Sequence, residues 1–341
     1  MNYANFLGYG ELLLRLSPSI HGELIEQSSQ LQMAFAGAEA NILCDLSRLG
    51  HDTAFLSAFP QNPLGRKAAA FLNSYGVNTS PVSWSAGRIG TYYIEHGRSI
   101  RGTSVTYDRQ HSTFSQTVVD ASYWERALVT RNCLILSGIS PALSEICLDN
   151  MLVGIEVAQK MEVPIVLDMN YRRSLWTTEA ARAFFLKVLP KIDILFANIG
   201  AIHDIFGLEV EDWSSLEGIS NASHEAIRFV EALGSFQYIA MTIRQQLSAS
   251  QNVLGGMVKT MGETFVSEFL QTEIVDRLGG GDAFAAAFIH GIFMQWPIEK
   301  ILNFAVAAFA YTQTIPGDIN LATEEELLSI AEGNTLGFAK R

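Results

Sequence analysis

Three consecutive glycines stand directly before an alanine-rich apolar run, and this junction constrains the fold more than any other stretch. Gly279, Gly280 and Gly281 precede Asp282 and the run Ala283–His290. The run predicts a buried helix whose first N–H groups have no partner within the helix and lie at the positive end of its dipole. Because glycine has no Cβ, an anion can approach this backbone closely. The junction predicts either an anion-binding loop or a turn into a capped buried helix, and the glycines alone do not decide between them.

Asp282 falls in the first turn of this predicted helix. A carboxylate there complements the helix dipole. Beside a bound phosphate it can also take the proton from a substrate hydroxyl, while backbone N–H groups hold the charge that develops on the transferred phosphoryl group. The sequence has neither a Walker A loop nor a glycine-rich kinase loop after a first strand. Any phosphate chemistry is therefore assigned to Gly279–Asp282.

From residue 132 onward, short apolar segments alternate with longer segments of helical periodicity. The predicted strands are Cys133–Ser137, Pro164–Asp168, Asp193–Ala197 and Tyr238–Thr242. This alternation is typical of an α/β fold, a mostly parallel sheet with helices on both faces. Near the start of the chain, Phe6–Leu16 is predicted as one strand bent by glycines.

Short β-type segments at about residues 87–112 fall outside the long alternation and predict a small sheet that projects from the main body. Tyr92 and Tyr93 are neighbours on one of these strands, so their side chains face opposite ways and at least one of them is a packing residue. A length of 341 residues allows a single domain, residues 1–341, that includes this small sheet.

Composition excludes several classes of function. The net charge of −12, with no basic stripe, argues against a nucleic-acid partner. No apolar run is long enough to cross a membrane, and no secretory leader pattern is present. The three cysteines lack CxxC spacing and predict buried free thiols in a reducing compartment, the cytoplasm. The seven histidines show no paired spacing, so no structural metal site is predicted.

The stretch Asp276–Phe284 resembles the second signature of the ribokinase-like (PfkB-type) carbohydrate kinases. Arg277 stands where the family usually has Thr, and Gly280 where it usually has Ala. This variant is most similar to that of 2-keto-3-deoxygluconate (KDG) kinases, and the resemblance covers nearly the whole chain. It implies a ribokinase-like fold with a discontinuous β-lid, formed by about residues 9–36 and 87–112, and with Asp282 as the catalytic base. It also implies that the N–H groups of Gly279, Gly280, Gly281 and Asp282 form the anion hole.

On the sugar side, the resemblance carries over to several further positions. The implied sugar-acid contacts are Gly37, Asn41, Tyr92 or Tyr93, Tyr107, Arg109, Asp168, Asn170 and Arg172. An open-chain keto acid does need a cation for its carboxylate and hydroxyl donors for its oxygens. Asn41 as a loop cap, the tyrosines as packing residues and Arg172 as half of a surface ion pair remain open alternatives. Ala36 replaces the first glycine of the family's first signature, and it would be strained if that position needs a positive φ.

The spacing of Asp168, Asn170 and Arg172 has its own structural implication. They follow a predicted parallel strand, where ligands bind in open α/β sheets. If the chain stays extended there, the three side chains point to one face.

On the nucleotide side, the resemblance implies ATP and Mg²⁺ as cofactors. The implied nucleotide contacts are Asn198, Thr242, Arg244, Gly279, Gly281, Asn303 and Gly317. It also implies a monovalent-cation site near Asp276. Ala201 stands where the family has a glutamate that helps organise Mg²⁺, so no metal-ligating residue is assigned and Mg²⁺ is expected to be held largely by water and phosphates.

The expected function is ATP-dependent phosphorylation of a sugar acid, KDG, at its terminal hydroxyl to give the 6-phosphate. Two alternatives remain open at this stage. The chain could be a kinase for another sugar, such as fructose or 5-dehydro-2-deoxygluconate. Alternatively, Ala36 and Ala201 could mark a sugar-acid-binding relative that has lost kinase activity. The resemblance also implies a homodimer formed through the lid.

Overall fold

The computed structural model describes residues 3–335, in which fourteen strands form two sheets. The strands are β1 Asn5–Tyr9, β2 Leu13–Pro18, β3 Leu31–Ala36, β4 Asp52–Pro60, β5 Val82–Ser85, β6 Thr91–Glu95, β7 Ser104–Asp108, β8 Cys133–Ser137, β9 Ile165–Asp168, β10 Ile194–Ala197, β11 Tyr238–Gln246, β12 Gln251–Lys259, β13 Thr264–Val266 and β14 Leu270–Glu273. The helices are α1 Ala38–Arg48, α2 Pro63–Ser74, α3 Thr113–Gln116, α4 Ala121–Leu128, α5 Glu145–Lys160, α6 Thr178–Val188, α7 Ile199–Phe206, α8 Leu216–Glu231, α9 Gly280–Phe293, α10 Ile298–Thr312 and α11 Glu324–Ala331. Two short 3₁₀ turns lie at Ser140–Ala142 and Leu189–Lys191.

The large sheet runs in the order β13-β12-β11-β10-β9-β8-β1-β4-β5, with β14 paired to β12. Neighbours from β11 through β5 pair in parallel, whereas β12 is antiparallel to β11, β13 and β14. Helices cover both faces, which gives two apolar cores, one on each side of the sheet. The predicted α/β class is confirmed, and so are the four predicted central strands, although β11 extends four residues beyond Thr242.

The small sheet has the order β3-β2-β6-β7 and is separate from the large one. Its strands come from the two stretches predicted to form a lid, and we call this sheet the lid. The single strand predicted over Phe6–Leu16 is wrong, because Gly10 and its neighbours divide it. Residues 5–9 join the large sheet as β1, and residues 13–18 join the lid as β2. At Gly10 the chain passes so close to Glu39 that an added Cβ would lie 2.2 Å from the carboxylate.

Helix α9 is the most enclosed helix of the site region, because it lies between α1 and α10 against the large sheet. Phe284 and Phe288 stack against each other, and Phe196 of β10 meets both edge-on. Burying aromatic rings of this size contributes on the order of 2–3 kcal/mol each. The packing fixes the N-terminus of α9 against the carboxyl ends of the strands, where the glycine loop lies.

Two further expectations concern membranes and thiols. Among residues 3–335, no helix is long and apolar enough to cross a membrane. Cys44, Cys133 and Cys147 are free and buried, as predicted. Burial raises the pKa of Cys133 well above its usual value and that of Cys147 to about 11, so these two thiols stay protonated and unreactive at neutral pH.

Candidate active site

The site lies where β9 and β10 end and α9 begins. A cavity of about 540 Å³ opens there, bordered by the glycine loop and by Asp168, Asn198, Thr242 and Arg244. Ligands bind in open α/β sheets at this edge, outside the carboxyl ends of the strands. The structure therefore brings residues from four separate stretches of sequence to one cavity.

The glycine loop has the geometry of an anion site. Gly279 has φ +73° and precedes α9, which starts at Gly280 with no side chain capping its N-terminus. The first-turn N–H groups, those of Gly280, Gly281 and Asp282, have no partner inside the helix. A Cβ on Gly281 would meet nothing within 4 Å, so this side of the loop is open. The loop can therefore place several donors against a phosphate at the positive end of the helix dipole.

Asp282 lies at the boundary between two cavities, and it is only partly exposed. Its Oδ2 accepts a hydrogen bond of 2.7 Å from Asn41 Nδ2, while Asn41 Oδ1 accepts one of 3.3 Å from the Gly37 N–H. Burial raises the pKa of Asp282 well above its usual value, the Asn41 bond lowers it, and the charge of Asp168 raises it further. A carboxylate held in one orientation with a raised pKa is suited to accept a proton.

The second cavity, of about 100 Å³, lies between the lid and the main body. The predicted residues that border it are Gly37, Asn41, Tyr92, Tyr107, Arg109, Asn170 and Arg172, together with Gly279 and Asp282. Tyr92 is buried, and its hydroxyl lies 3.4 Å from Asp318 Oδ2. Tyr93, its neighbour on β6, faces away and does not border the cavity, so of the two alternatives it is Tyr92 that lies at the site.

Arg109 is held by a carboxylate that the sequence reasoning missed. Its guanidinium pairs with Glu11, with Nε 2.9 Å from Oε2, and its Cζ lies 5.6 Å from the centre of the Tyr107 ring. The other Glu11 oxygen, Oε1, is buried at the cavity wall without a partner. An unpaired buried acceptor of this kind favours a ligand that donates a hydroxyl. Arg109 is therefore not a free cation. The Arg109–Glu11 pair presents both an N–H donor of the guanidinium and a carboxylate acceptor.

Asp168, Asn170 and Arg172 do reach the site, although not through the extended chain that we predicted. Asn170 has φ +36°, and its N–H donates to Asp168 Oδ1 at 3.0 Å, so the backbone turns there. Burial raises the pKa of Asp168 to about 6, against the opposing charge of Arg172. Arg172 is exposed, borders both cavities and has no ion-pair partner within residues 3–335. The surface ion pair considered above is not present among those residues.

Arg244 and Arg277 border the larger cavity as two neighbouring cations. Burial lowers the pKa of Arg244 to about 10, and the charge of Arg277 lowers it further. Arg277 Nε and one terminal nitrogen are buried without a hydrogen-bond partner. Neither guanidinium has an ion-pair partner in the described part of the chain. The two guanidinium groups repel each other and have unused N–H donors. A polyanion bound between them offsets this repulsion and can accept hydrogen bonds from both.

Asn198 and Ala201 lie at the start of α7, where Ala201 replaces the glutamate of the family motif. Asn198 Oδ1 accepts a hydrogen bond of 2.9 Å from the Ala201 N–H and so caps α7. Ala201 is buried and brings no oxygen to the cavity. Within residues 3–335 no group of three or more His, Cys, Asp or Glu side chains is arranged to hold a metal ion. A Mg²⁺ ion that enters with phosphates can keep several waters, and the carboxylates that border the larger cavity are Asp168 and Asp282.

Three expectations about the first signature and the nucleotide side need correction. Ala36 ends β3 and does not have positive φ, so the expected strain is not found. Asn303 points away from the cavity, because its Oδ1 accepts from the Glu268 N–H at 3.2 Å. Gly317 has φ +104° but does not border the cavity; its N–H donates to Asp276 Oδ2 at 3.1 Å.

Besides Glu11, the sequence reasoning missed Glu39 and Asp318, which also border the smaller cavity. Glu39 is almost fully buried, its Oε1 accepts from Ser140 Oγ at 2.9 Å, and burial raises its pKa to about 8. Burial raises the pKa of Asp318 to about 6. Isolated acidic residues at the start of a helix or in a turn have common structural roles. No local signal therefore distinguishes these carboxylates from helix-capping residues.

Comparison with known proteins decides the family. Residues 8–324 match the model of the pfkB family carbohydrate kinases. The chain belongs to this family. The 2-dehydro-3-deoxygalactonokinase of Haloferax volcanii is 31% identical over 341 residues, which is 98% of this chain and 99% of that protein. The crystal structure of 2-dehydro-3-deoxygluconokinase from Thermotoga maritima is 34% identical and superimposes with a TM-score of 0.90 over 97% of this chain and 100% of that one.

More distant members of the pfkB family act on other sugar derivatives. The 5-dehydro-2-deoxygluconokinase of Geobacillus kaustophilus is 24% identical over 309 residues, 89% of this chain and 86% of that protein. The ribokinase-like fold and the carbohydrate-kinase class expected from the sequence are therefore confirmed. The two more similar relatives act on 2-keto-3-deoxy sugar acids, which is the class expected from the sequence.

Proposed function

We propose that this PfkB-family kinase transfers the γ-phosphoryl group of ATP to the terminal hydroxyl of a 2-keto-3-deoxy sugar acid, KDG being the favoured substrate. The observation that carries the proposal is the position of Asp282 at the boundary of the two cavities, next to the glycine loop. One cavity is bordered by unpaired arginines and the other by hydroxyls, carboxylates and Arg109. The reacting hydroxyl and the γ-phosphate would meet beside Asp282.

In this mechanism the sugar hydroxyl donates its hydrogen bond to an Asp282 oxygen. Asn41 holds the other oxygen and so fixes the direction of the carboxylate. As the hydroxyl oxygen bonds to phosphorus and the bond from phosphorus to the ADP oxygen breaks, Asp282 takes the proton. The N–H groups at Gly280 and Gly281 stabilise the charge on the phosphoryl oxygens.

On the nucleotide side, Arg244 and Arg277 would contact the phosphates of ATP. Both border the larger cavity, and both lack a counter-charge among residues 3–335. Thr242 adds a hydroxyl to the same wall. Mg²⁺ would be held chiefly by the phosphates and water, Asp168 and Asn198 of the same cavity could hold its waters, and the ion would supply charge neutralisation for the leaving group.

On the sugar side, Arg172 is the cation free to pair with the substrate carboxylate. Arg109 is already paired with Glu11, so it presents its remaining donors while Glu11 Oε1 accepts from a sugar hydroxyl. Tyr92 and Tyr107 provide hydroxyl groups from the lid. A neutral sugar such as fructose leaves Arg172 without an anion to bind, which favours a sugar acid.

The decisive experiment measures ADP release with Mg·ATP over a panel of sugars. The panel contains KDG, 2-keto-3-deoxygalactonate, gluconate, 5-dehydro-2-deoxygluconate, fructose and ribose. Strong turnover on KDG supports the proposal, and equal turnover on its C4 epimer, 2-keto-3-deoxygalactonate, broadens it to both acids. Turnover confined to fructose or ribose would overturn the substrate assignment while leaving the mechanism at Asp282 in place.

A second candidate is kinase activity on 5-dehydro-2-deoxygluconate, which the relative from Geobacillus kaustophilus favours. Preferential turnover of that sugar acid in the same panel would select this candidate. A binder without kinase activity is disfavoured, because Asp282, the glycine loop and the Asn41 contact are all in place.

Arg172→Met is expected to raise KM for the sugar acid about 10–100-fold, since a charge-assisted hydrogen bond contributes roughly 1.5–3 kcal/mol. The adjacent Arg173 provides a matched control, because it is exposed and its Nε lies 2.6 Å from Asp204 Oδ2, away from both cavities. Steady-state kinetics of Arg173→Met should match those of the wild type. Equal effects of the two substitutions would contradict the role given to Arg172.

We also propose that two copies associate through the lid, in a reducing, cytoplasmic compartment. Edge strand β3 exposes Leu31 and Met33, and edge strand β7 exposes Tyr107. Exposed apolar side chains on edge strands suit a partner sheet. Light scattering after gel filtration should give twice the mass of one chain, and Met33→Glu should shift it towards the monomer. A wild-type mass of one chain would exclude the dimer.

A further inference from the structure

A buried arginine joins the lid to the base of the glycine loop. Arg15 lies on β2 and is 3% exposed, and its two terminal nitrogens bond to different carboxylates, those of Asp276 and Asp318. Asp276 is 1% exposed and Asp318 8% exposed. His96, the residue after lid strand β6, places Nε2 3.2 Å from the guanidinium and Nδ1 3.7 Å from Asp276 Oδ1. The contact therefore connects lid, loop and the turn after α10.

Both carboxylates that Arg15 holds shape the glycine loop. Asp276 Oδ1 accepts from the Leu278 N–H at 3.2 Å, and Oδ2 accepts from the Gly317 N–H at 3.1 Å. The backbone carbonyl of Asp318 packs against Gly279 so closely that an added Cβ would lie 2.0 Å from it. Since Arg15 binds both acids, it fixes the distance between the two segments that confine the loop.

The charge balance of this cluster leaves little need for an added ion. The resemblance described above implies a monovalent cation near Asp276, but the guanidinium already lies between Asp276 and Asp318. Both Asp276 oxygens have N–H partners in addition to Arg15. An inorganic cation added beside a buried guanidinium would be repelled by it. The residues present therefore do not fit the implied ion.

We propose that Arg15 is a positioning residue that acts as the fixed cation of the glycine loop, so that phosphoryl transfer by this kinase needs no added monovalent ion. Arg15 touches neither the sugar nor the phosphates in this scheme. It acts by holding Asp276 and Asp318, and through them the N–H groups that begin α9. The inference rests on the proposed function, because its main readout is phosphoryl transfer.

The test compares wild type, Arg15→Ala and Arg15→Lys in buffers whose only monovalent cation is tetramethylammonium, with and without KCl at matched ionic strength. Arg88→Ala is the control, because Arg88 pairs with Asp108 on the exposed side of the lid. We expect KCl to change wild-type and Arg88→Ala kcat/KM by less than about twofold. The kcat/KM of Arg15→Ala should be at least about tenfold below that of the wild type, since hydrogen bonds to a buried charge contribute over 1.4 kcal/mol. Adding KCl or guanidinium chloride should restore part of this loss.

Several outcomes would overturn the inference. These are strong stimulation of the wild type by KCl, an unchanged Arg15→Ala enzyme, or a loss in folded Arg15→Ala that neither cation relieves. If Arg15→Ala does not fold, Arg15→Lys decides, because it keeps the charge and should turn over without KCl. If no sugar in the panel is turned over, the proposed function has failed. The inference is then tested by melting temperature, which KCl should raise in the Arg15 variant and leave unchanged in the wild type.

Discussion

Asp282→Asn is expected to lower kcat by about 10³-fold, because a positioned general base contributes roughly 10²–10⁴-fold to such a step. Asparagine keeps an oxygen that can accept from Asn41 Nδ2, so the arrangement seen around Asp282 should persist. What is lost is the ability to take the proton from the sugar hydroxyl. Because the loss falls on the chemical step, KM for the sugar should change little.

The pH profile provides an independent check of this role. Burial and the charge of Asp168 raise the pKa of Asp282, so the wild-type kcat/KM should fall on the acid side at a pH well above the usual range of an aspartate. Below that pKa the carboxyl is protonated and cannot act as base. The acid limb should be absent from the residual activity of the asparagine variant. An unchanged kcat, or an acid limb that survives the substitution, would assign the base to another group.

The same substitution should leave the fold intact or stabilise it. A carboxyl whose folded pKa is raised above its unfolded value contributes stability at low pH, and this contribution is lost as pH rises through the folded pKa. At neutral pH, where the carboxyl of the unfolded chain is ionised, the raised pKa of the folded Asp282 therefore costs stability. Differential scanning calorimetry should give a melting temperature for Asp282→Asn equal to or above that of the wild type.

Gly279→Ala is expected to remove activity and to destabilise the protein by several kcal/mol. The residue has φ +73°, which costs about 1 kcal/mol for alanine. More important, the new Cβ would lie 2.0 Å from the Asp318 carbonyl oxygen, a backbone atom that cannot turn aside. The loop or the turn after α10 must move, and the N–H groups that face the phosphate would move with it. We expect kcat/KM to fall by at least about 10²-fold, the loss seen when one such donor is removed.

Gly281→Ala is the matched control for the fold. It lies two residues away in the same loop, and its Cβ would meet nothing within 4 Å. Its melting temperature should stay within a few degrees of the wild type, whereas that of Gly279→Ala should fall clearly. If the two variants melt together, the steric account of Gly279 is wrong.

Part of this architecture could be predicted from the sequence. The central strands and the separate small sheet came from apolar runs and their periodicity, which depend on local sequence. The division of residues 5–18 between two sheets did not, because it depends on the close passage of Gly10 against Glu39, a residue far along the chain. Local patterns do not report such tertiary contacts.

The residues of the candidate site also fall into those that could be predicted from the sequence and those that could not. Asp282, the glycine loop and Arg172 lie in contiguous motifs, so their presence at the cavities could be predicted. Glu11 could not, because its role is defined only by its pairing with Arg109 from another strand. The hydrogen bond that Asn303 Oδ1 accepts from the Glu268 N–H could not be predicted either, because it joins segments that are 35 residues apart.

The bond between Arg15 and Asp318 also has a consequence for the biosynthesis of the kinase. The two residues are 303 positions apart, so the lid strand must wait for almost the whole chain before it can make this contact. At about 5–20 residues per second, a ribosome needs roughly 15–60 s to supply the partner. Lid strand β2 can pair with β3 and β6 early in synthesis, but its buried guanidinium lacks the second of its two carboxylates until residue 318 is made. A nascent chain stalled before residue 318 should accordingly be more protease-sensitive at the contact between the lid and the glycine loop than the finished protein.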